Sequence, residues 1–338
     1  MEKIRVIESF GDSRPTTNPY ITMLGESLEN TPGLSLLRFS WKAALTEKYD
    51  VFHFHWPEAL LDGKTWYTRL GKEAAFFLLL TRIRLQKIAV VRTVHNLELP
   101  QGLPFIRHQL VRFCDEMTTL RIALNSTTPA APNIAQRLIL HGHYRDWFAS
   151  MPRHDQVPGR IAFTGLIRRY KGVENLIGCF KQTEDDHPEL SLSITGKPST
   201  AQLAETIRSA ASADKRLHLS FGYVAEESLV AAITEAELVV LPYQFMHNSG
   251  SALAALSLQR PVLLPRNEVN ELLAHEVGAG WVFLYDGELT AEHLKSSLAL
   301  LRDHPPTSAP GLSNRDWSAA GILHRDAFLE AQRIATRK

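Results

Sequence analysis

Apolar positions along this chain fall into two alternating rhythms. Short β-branched or aromatic runs at Ile4–Ser9, Leu34–Phe39, Asp50–His55, Lys87–Val94 and Arg121–Asn125 read as buried strands. Helical spacing covers Tyr20–Glu29 and, to within about two residues, 69–86, 103–113 and 131–139. Alternation of this kind predicts a parallel sheet covered on both faces. Met151–Gly159, with two prolines, a glycine and polar neighbours, breaks the pattern. It then resumes, with strands at Arg160–Thr164, Leu190–Thr195, Leu217–Phe221, Leu238–Leu241 and Val262–Leu264. Helices are expected at Lys171–Gln182, Thr200–Ala211, Glu226–Glu235 and Ser249–Leu258. His304–Gly311 reads as a second linker, followed by an amphipathic helix over residues 315–336. The expectation is an α/β protein with two Rossmann-like, doubly wound domains, 1–152 and 153–312, closed by a helical segment, 313–338, that crosses back to the first. Open α/β sheets bind ligands at the carboxyl ends of their strands, so tandem domains predict a cleft lined by strand-to-helix loops.

Composition narrows the classes. A length of 338 residues suits two domains. Lys plus Arg is 37 and Asp plus Glu is 36, which leaves no basic surplus for bulk nucleic-acid binding. Cys114 and Cys179 lack a C-x-x-C partner and read as reduced core thiols, which suits the cytoplasm. The charged start runs straight into a strand, unlike a signal peptide. No apolar run reaches the roughly 18 residues of a membrane span. Arg69–Lys87 has five cations, one acid and a long apolar block. It reads either as a helix lying on an anionic membrane surface near a lipid-linked acceptor, or as a crossover helix packed on the sheet with cationic ends.

The loops carry the candidate chemistry. Phe163-Thr-Gly-Leu-Ile-Arg-Arg-Tyr-Lys-Gly172 follows the first strand of the second domain and opens a helix. Arg168 and Lys171 there suit a diphosphate, because helix amides already favour an anion. The alternative is a solvated basic turn. A second cradle is expected where Ser249, Gly250 and Ser251 start a helix of small residues, with Tyr243 and Asn248 in the loop before it. An ordinary N-cap is compatible with that reading. In the first domain, Asp12, Asn18 and Tyr20 follow strand one, and His53, His55, Trp56 and Glu58 end strand three. His95 ends strand four. A histidine at such a position can bond a hydroxyl or phosphate or move a proton, and Trp56 can stack on a sugar ring. His53 and His55 share a strand face, yet no third metal ligand stands at a useful spacing, so no metal site is expected.

Gly165-Leu-Ile-Arg-x-Tyr-Lys-Gly172 resembles the donor-phosphate loop of family-4-like GT-B glycosyltransferases. Thr93-Val-His-Asn96 looks like their first-domain histidine loop, and Ser249-Gly-Ser…Arg260-Pro-Val262 like their donor loop, helix and strand. The resemblance spans nearly the whole chain. It implies a nucleoside-diphosphate-sugar donor as substrate, no cofactor, and Arg168, Lys171, Tyr243, Asn248, Ser249, Gly250 and Ser251 as donor contacts. The catalytic candidates read from the loops are His95, to contact the donor sugar or its α-phosphate, and Glu58, Asp12 and His55, one of which would take the acceptor proton if the enzyme inverts. Asn18, Tyr20, His53 and Trp56 are expected to meet a glycan or lipid-linked acceptor. The His-Trp-Pro-Glu and Asn-Ser-Gly-Ser stretches are similar to a divergent branch of bacterial exopolysaccharide transferases that includes xanthan-type mannosyltransferases. Metal-independent hexosyl transfer, with mannose from GDP-mannose as one case, is the expectation, at the cytoplasmic side with peripheral contact to the inner membrane. One departure stands out. The glutamate pair that usually brackets the donor loop is replaced here by residues around His247–Ser249 and by Ala254 or Ala255, which leaves inversion or retention open. A degenerate nucleotide-sugar-binding protein and a GT-B epimerase are the competing readings.

Overall fold

The computed structural model describes residues 3–14, 17–98, 102–222 and 224–337; Met1, Glu2, and Pro15 and Thr16 of the first expected loop, lie outside them. The chain divides into two compact units, residues 1–142 with 314–338, and residues 143–313.

Unit one begins β1 (Ile4–Glu8), α1 (Pro19–Glu29), β2 (Leu34–Leu37), α2 (Trp41–Thr46) and β3 (Val51–Phe54). A 3₁₀ turn at Pro57–Leu61 leads to α3 (Trp66–Leu85), β4 (Ala89–Val94), α4 (Phe105–Glu116), β5 (Leu120–Ala123) and β6 (Ala135–Leu138). Among the described residues these strands form one parallel sheet, ordered β2-β1-β3-β4-β5-β6. The order reverses between β1 and β3, so the loops after those two strands flank the switch point. Phe52 and Phe54 stack at 4.1 Å and bury against Phe76, Leu79, Leu80 and Ile83 on one face of α3. The helix expected over 131–139 is instead strand β6, pairing Leu120 with Ala135 through Ala123 with Leu138. Pairing along the open edge of β5 outweighs the helix preference of Ala, Gln and Arg, which amounts to only about a few tenths of a kcal/mol per residue.

Unit two runs β7 (Arg160–Thr164), α5 (Val173–Lys181), β8 (Ser191–Gly196), α6 (Ala201–Ala211), β9 (Leu217–Phe221), α7 (Glu226–Thr234) and β10 (Leu238–Val240). It continues with α8 (Gly250–Ser257), β11 (Val262–Pro265), α9 (Glu268–Val277), β12 (Val282–Tyr285) and α10 (Ala291–Asp303). The parallel order is β12-β11-β10-β7-β8-β9, with its reversal between β7 and β10. The sequence reading left α9, β12 and α10 unassigned and set the domain boundary at residue 152. The segment from His143 packs with unit two instead: the Tyr144 amide donates to Ser257 Oγ at 2.9 Å, and Arg145 donates to the Pro310 carbonyl.

The last helix, α11 (Trp317–Arg337), packs on unit one against α1, β1 and β4. Gly321 lets it approach α1, since a Cβ there would stand 2.3 Å from Thr31 Oγ1. His324 and Phe328 of α11 lie over the ring of His53, at 5.8 and 5.2 Å. No described helix is long and apolar enough to cross a membrane.

Candidate active site

In unit two, the two loops at the switch point are tied together. The Gln244 amide, after β10, donates to the Tyr170 carbonyl, after β7, at 2.8 Å. Glycine makes this approach possible. A Cβ on Gly196 would stand 1.8 Å from the Gly165 carbonyl oxygen, and one on Gly172, at φ +67°, would stand 2.3 Å from that of Pro242. A Cβ on Gly165 would meet Ser251 Oγ at 2.8 Å and Lys171 Nζ at 3.8 Å, so both side chains converge over bare backbone. Lys171 Nζ donates to the Tyr243 hydroxyl at 3.0 Å and lies 4.4 Å from the centre of its ring. Ser249 caps α8 by accepting from the Ala252 amide, and Gly250 and Ser251 form the first turn. A cation, hydroxyls and a helix N-terminus thus share one small region, a combination that favours a phosphate group.

Lys171 and Arg168 do not stand on the first turn of α5, as the sequence predicted. Arg168 starts a short 3₁₀ turn, Arg169–Lys171, and α5 begins at Val173 after the left-handed Gly172. Arg168 is exposed, and among the described residues its guanidinium makes no hydrogen bond or ion pair, while its carbonyl accepts from the Lys171 amide at 2.9 Å. Ala254 and Ala255 are buried on α8, so no carboxylate stands where the usual second glutamate would.

Unit one holds a histidine cluster at its own switch point. Strand register sets Glu8 beside His53 and His53 beside Val91, which brings Thr93 to the same neighbourhood. His53 Nδ1 lies 2.8 Å from Glu8 Oε1 and its Nε2 lies 2.8 Å from Thr93 Oγ1. His55 Nε2 lies 3.2 Å from Glu8 Oε2, and His55 Nδ1 lies 3.0 Å from His95 Nε2. Trp56 stacks on His95, with ring centres 4.0 Å apart. Glu8 is 0% exposed. Burial pushes its carboxyl up, but the His53 charge and the hydrogen bonds of both histidines outweigh this and hold it at about 2. Burial lowers His55 to about 4, and it holds His95 well below the ordinary imidazole value, with the neighbouring histidines and Arg92 acting in the same direction. Both imidazoles are therefore neutral at pH 7. A small pocket is lined by His95, Trp56, Glu58, Arg92, Asn96 and Glu98. Burial raises the carboxyl of Glu58.

Several sequence expectations change here. His53 is fully buried under α11 and has no surface to offer an acceptor. Tyr20 is 2% exposed, packed among His55, His95, His141 and Trp317. Asn18 accepts from the Tyr20 amide and caps α1. His55 is buried and engaged at both ring nitrogens, and it borders the pocket beside Trp56 and His95. Asp12 is exposed, whereas Trp56 and Glu58 reach the pocket. Glu8 was missed. Its signal was an acid ending an otherwise buried strand, directly before the loop that carries Asp12. It also supplies the third group that the metal reading lacked: Glu8, His53 and His55 present ligand atoms within 4.8 Å of one another. Those atoms are already spent on hydrogen bonds to each other, to Thr93 and to His95.

A family model, Glycosyl transferases group 1, matches residues 158–303. The chain is 44% identical over 329 residues to GDP-mannose:glycolipid 4-beta-D-mannosyltransferase of Xanthomonas campestris pv. campestris, covering 97% of this chain and 93% of that one. Among solved structures it is similar to Anabaena HepE in complex with UDP and glucose, with a TM-score of 0.60, 12% identity and 99% of both chains covered. It is also similar to sucrose-phosphate synthase from Thermosynechococcus elongatus, with a TM-score of 0.59, 14% identity, and 99% of this chain and 97% of that one covered. These two likenesses show a shared GT-B fold. The mannosyltransferase, related over almost the whole of both chains, shows more: the protein belongs to the group 1 glycosyltransferases and is a hexosyltransferase.

Proposed function

We propose that the protein transfers mannose from GDP-mannose to a glycolipid, with inversion at the anomeric carbon, without a resident metal ion, and from a membrane surface. The observation that carries this reading is the convergence of Lys171, Ser251 and the start of α8 over Gly165. These groups neutralise a diphosphate as it leaves, with Arg168 free to swing onto it. Stabilising charge that develops in the transition state is where such groups act most strongly. A lysine, an arginine and helix amides meet the phosphates directly, which supports a site that needs no bridging cation. The choice of GDP-mannose and of a glycolipid is supported by the Xanthomonas relative, whose name states both. That name also states a β product. GDP-mannose holds its sugar α-linked, so a β product requires inversion and one base for the acceptor hydroxyl.

The surface of α3 supports membrane contact. Trp66, Tyr67, Leu70, Phe77, Leu78 and Leu85 are all more than half exposed, Trp66 at 75% and Leu85 at 79%. At 3.6 residues per turn they fall within about 120° of the helix circumference, away from the buried Phe76, Leu79, Leu80 and Ile83. Phe105 and Ile106 of α4 are exposed as well, and Lys64, Arg69, Arg84 and Lys87 are exposed cations on or beside α3. In this reading one face of the helix packs on the sheet and the other suits an anionic lipid surface.

The test is transfer of radiolabel from GDP-mannose into organic-soluble product, with membranes of the source cells supplying the acceptor and EDTA present. The reading expects a labelled lipid whose anomeric NMR coupling is that of a β-mannoside. Label from a UDP-sugar but not from GDP-mannose would overturn the donor assignment.

A further inference from the structure

The loop that joins β10 to α8 carries Tyr243 near one end and Ser249 at the other, so its course places two of the groups that gather around Lys171 and Gly165. After Pro242 it contains no glycine and no proline, so local backbone restriction does not set that course. Gln244 is exposed and Phe245 is 80% exposed, whereas Met246 turns inward and is 8% exposed. The middle of the loop is tied down at Met246, and the corner between β11 and α9 holds it there.

Asn267 caps α9, its Oδ1 accepting from the Asn270 amide at 2.9 Å. The other end of the same side chain faces the loop: Nδ2 donates to the Met246 carbonyl at 3.0 Å. Chemistry fixes this orientation, because a backbone N–H needs an acceptor and a carbonyl needs a donor. Asn270 is 1% exposed. Its Nδ2 donates to the Pro265 carbonyl at 2.8 Å and lies 3.4 Å from Met246 Sδ. A buried amide costs free energy unless it is bonded, so packing alone would be served better by an apolar residue. The corner is anchored to β12 in turn. The Arg266 amide donates to the Tyr285 carbonyl at 2.8 Å, and Arg266 Nε lies 2.9 Å from Asp286 Oδ1. Two asparagines thus reach from a fixed corner onto one residue of the loop.

We propose that Asn267 and Asn270 are positioning residues for the donor loop. By holding Met246 they keep Tyr243 against Lys171, and the Ser249–Ser251 turn over Gly165, before any ligand arrives. This deepens the diphosphate site proposed above and rests on it. Neither asparagine needs to touch the ligand. Their effect is that the loop is ordered in advance, so binding does not have to order it. Position 267 calls for asparagine because one side chain must accept at one end and donate at the other. Serine and aspartate cap a helix about as well, but a single hydroxyl does not span both partners and a carboxylate only accepts.

Asn267→Ser separates the two tasks, since it keeps the cap and removes the clamp. Hydrogen exchange of the intact protein reads the loop without turnover. In this variant, exchange over residues 243–249 should quicken by about five-fold, the equivalent of one neutral hydrogen bond, while β7 and β8 exchange as before. Calorimetric titration should show GDP bound about five-fold more weakly, with the urea midpoint unchanged. Saturating GDP should return the loop to slow exchange. Should serine weaken α9, Asn267→Asp keeps the cap and adds a charge that a helix start favours; at 0.5 M salt, where that charge is screened, it should give the same two results. Unchanged exchange in either folded variant would overturn the clamp. Faster loop exchange with unchanged GDP affinity would overturn the positioning role and leave the diphosphate site standing. Failure of the unmutated protein to bind GDP would overturn the diphosphate reading itself, and the positioning role with it.

Discussion

Lys171 Nζ sits 3.0 Å from the hydroxyl of Tyr243 and 4.4 Å from the centre of the same ring, so one aromatic side chain both orients the cation and faces its charge. The two residues come from loops on opposite sides of the β7/β10 reversal. Tyr243→Phe keeps the ring and removes the acceptor. It should weaken GDP binding by about 1 kcal/mol, roughly five-fold. Calorimetric titration with GDP checks this, and an unchanged affinity would show that the hydroxyl does not orient the lysine.

The close backbone approach behind that site predicts a stability effect. A methyl group on Gly196 would press on the Gly165 carbonyl, a rigid backbone group. Gly196→Ala should destabilise unit two by about 3 kcal/mol or more, at the upper end of overpacking costs. Gly178, whose Cβ would meet nothing within 4 Å and which lies inside α5, is the control. Gly178→Ala should stabilise by about 0.5–1 kcal/mol. Urea midpoints of the two variants distinguish the cases.

Acid should unfold unit one from an unusually high pH. Burial lowers His55 and His141 to about 4 and His324 to about 3. In the unfolded chain these groups protonate near 6.5, so between 6.5 and 4 the unfolded state binds more protons and stability rises with pH. It therefore falls as pH drops from 6.5, by up to about 1.4 kcal/mol per unit for each such histidine. Glu8, lowered to about 2, adds a loss that begins below 4.5. Thermal midpoints measured from pH 8 to pH 4 should be flat above 7 and drop steeply below 6.5. A flat profile down to pH 5 would mean that these histidines are not buried neutral.

Vesicle binding tests the α3 surface. The protein should sediment with vesicles containing about 30% phosphatidylglycerol, and less well at 0.5 M salt, because surface charge attraction is screened. Trp66→Ser with Phe77→Ser and Leu85→Ser removes three exposed side chains and should abolish binding with the fold intact. Equal binding by this variant would assign the face to something other than lipid.

The sequence was most readable where chemistry and local pattern coincide. The Gly165–Gly172 turn could be located because two glycines, three cations and a strand end stand in one short window. The parallel sheets followed from β-branched runs broken by helical spacing. Strand β6 was not legible, because Ala135–Leu138 has helix-favouring residues and becomes a strand only through the edge of β5. The region after β11 was left unassigned although α9 and α10 are amphipathic and start at capping residues, Asn267 and Thr290, so those signals were there to be read. Glu8 could not be assigned a role from its neighbours in sequence. Its partners lie on β3 and just beyond it, 45 and 47 residues away, and only strand register brings them together. His53 and Tyr20 were placed on an acceptor surface because a strand end or loop is usually open; α11 and its Trp317 close over them.

The most direct test of the donor site is calorimetric titration of the protein with GDP, UDP and ADP in the presence of EDTA, alongside Lys171→Ala and Arg168→Ala. The account predicts that GDP binds without a divalent ion and tighter than UDP or ADP. It predicts that Lys171→Ala weakens GDP by about 10–100-fold, the range for a lost hydrogen bond to a charged group. GDP binding that needs Mg²⁺, or that survives both substitutions unchanged, would contradict it.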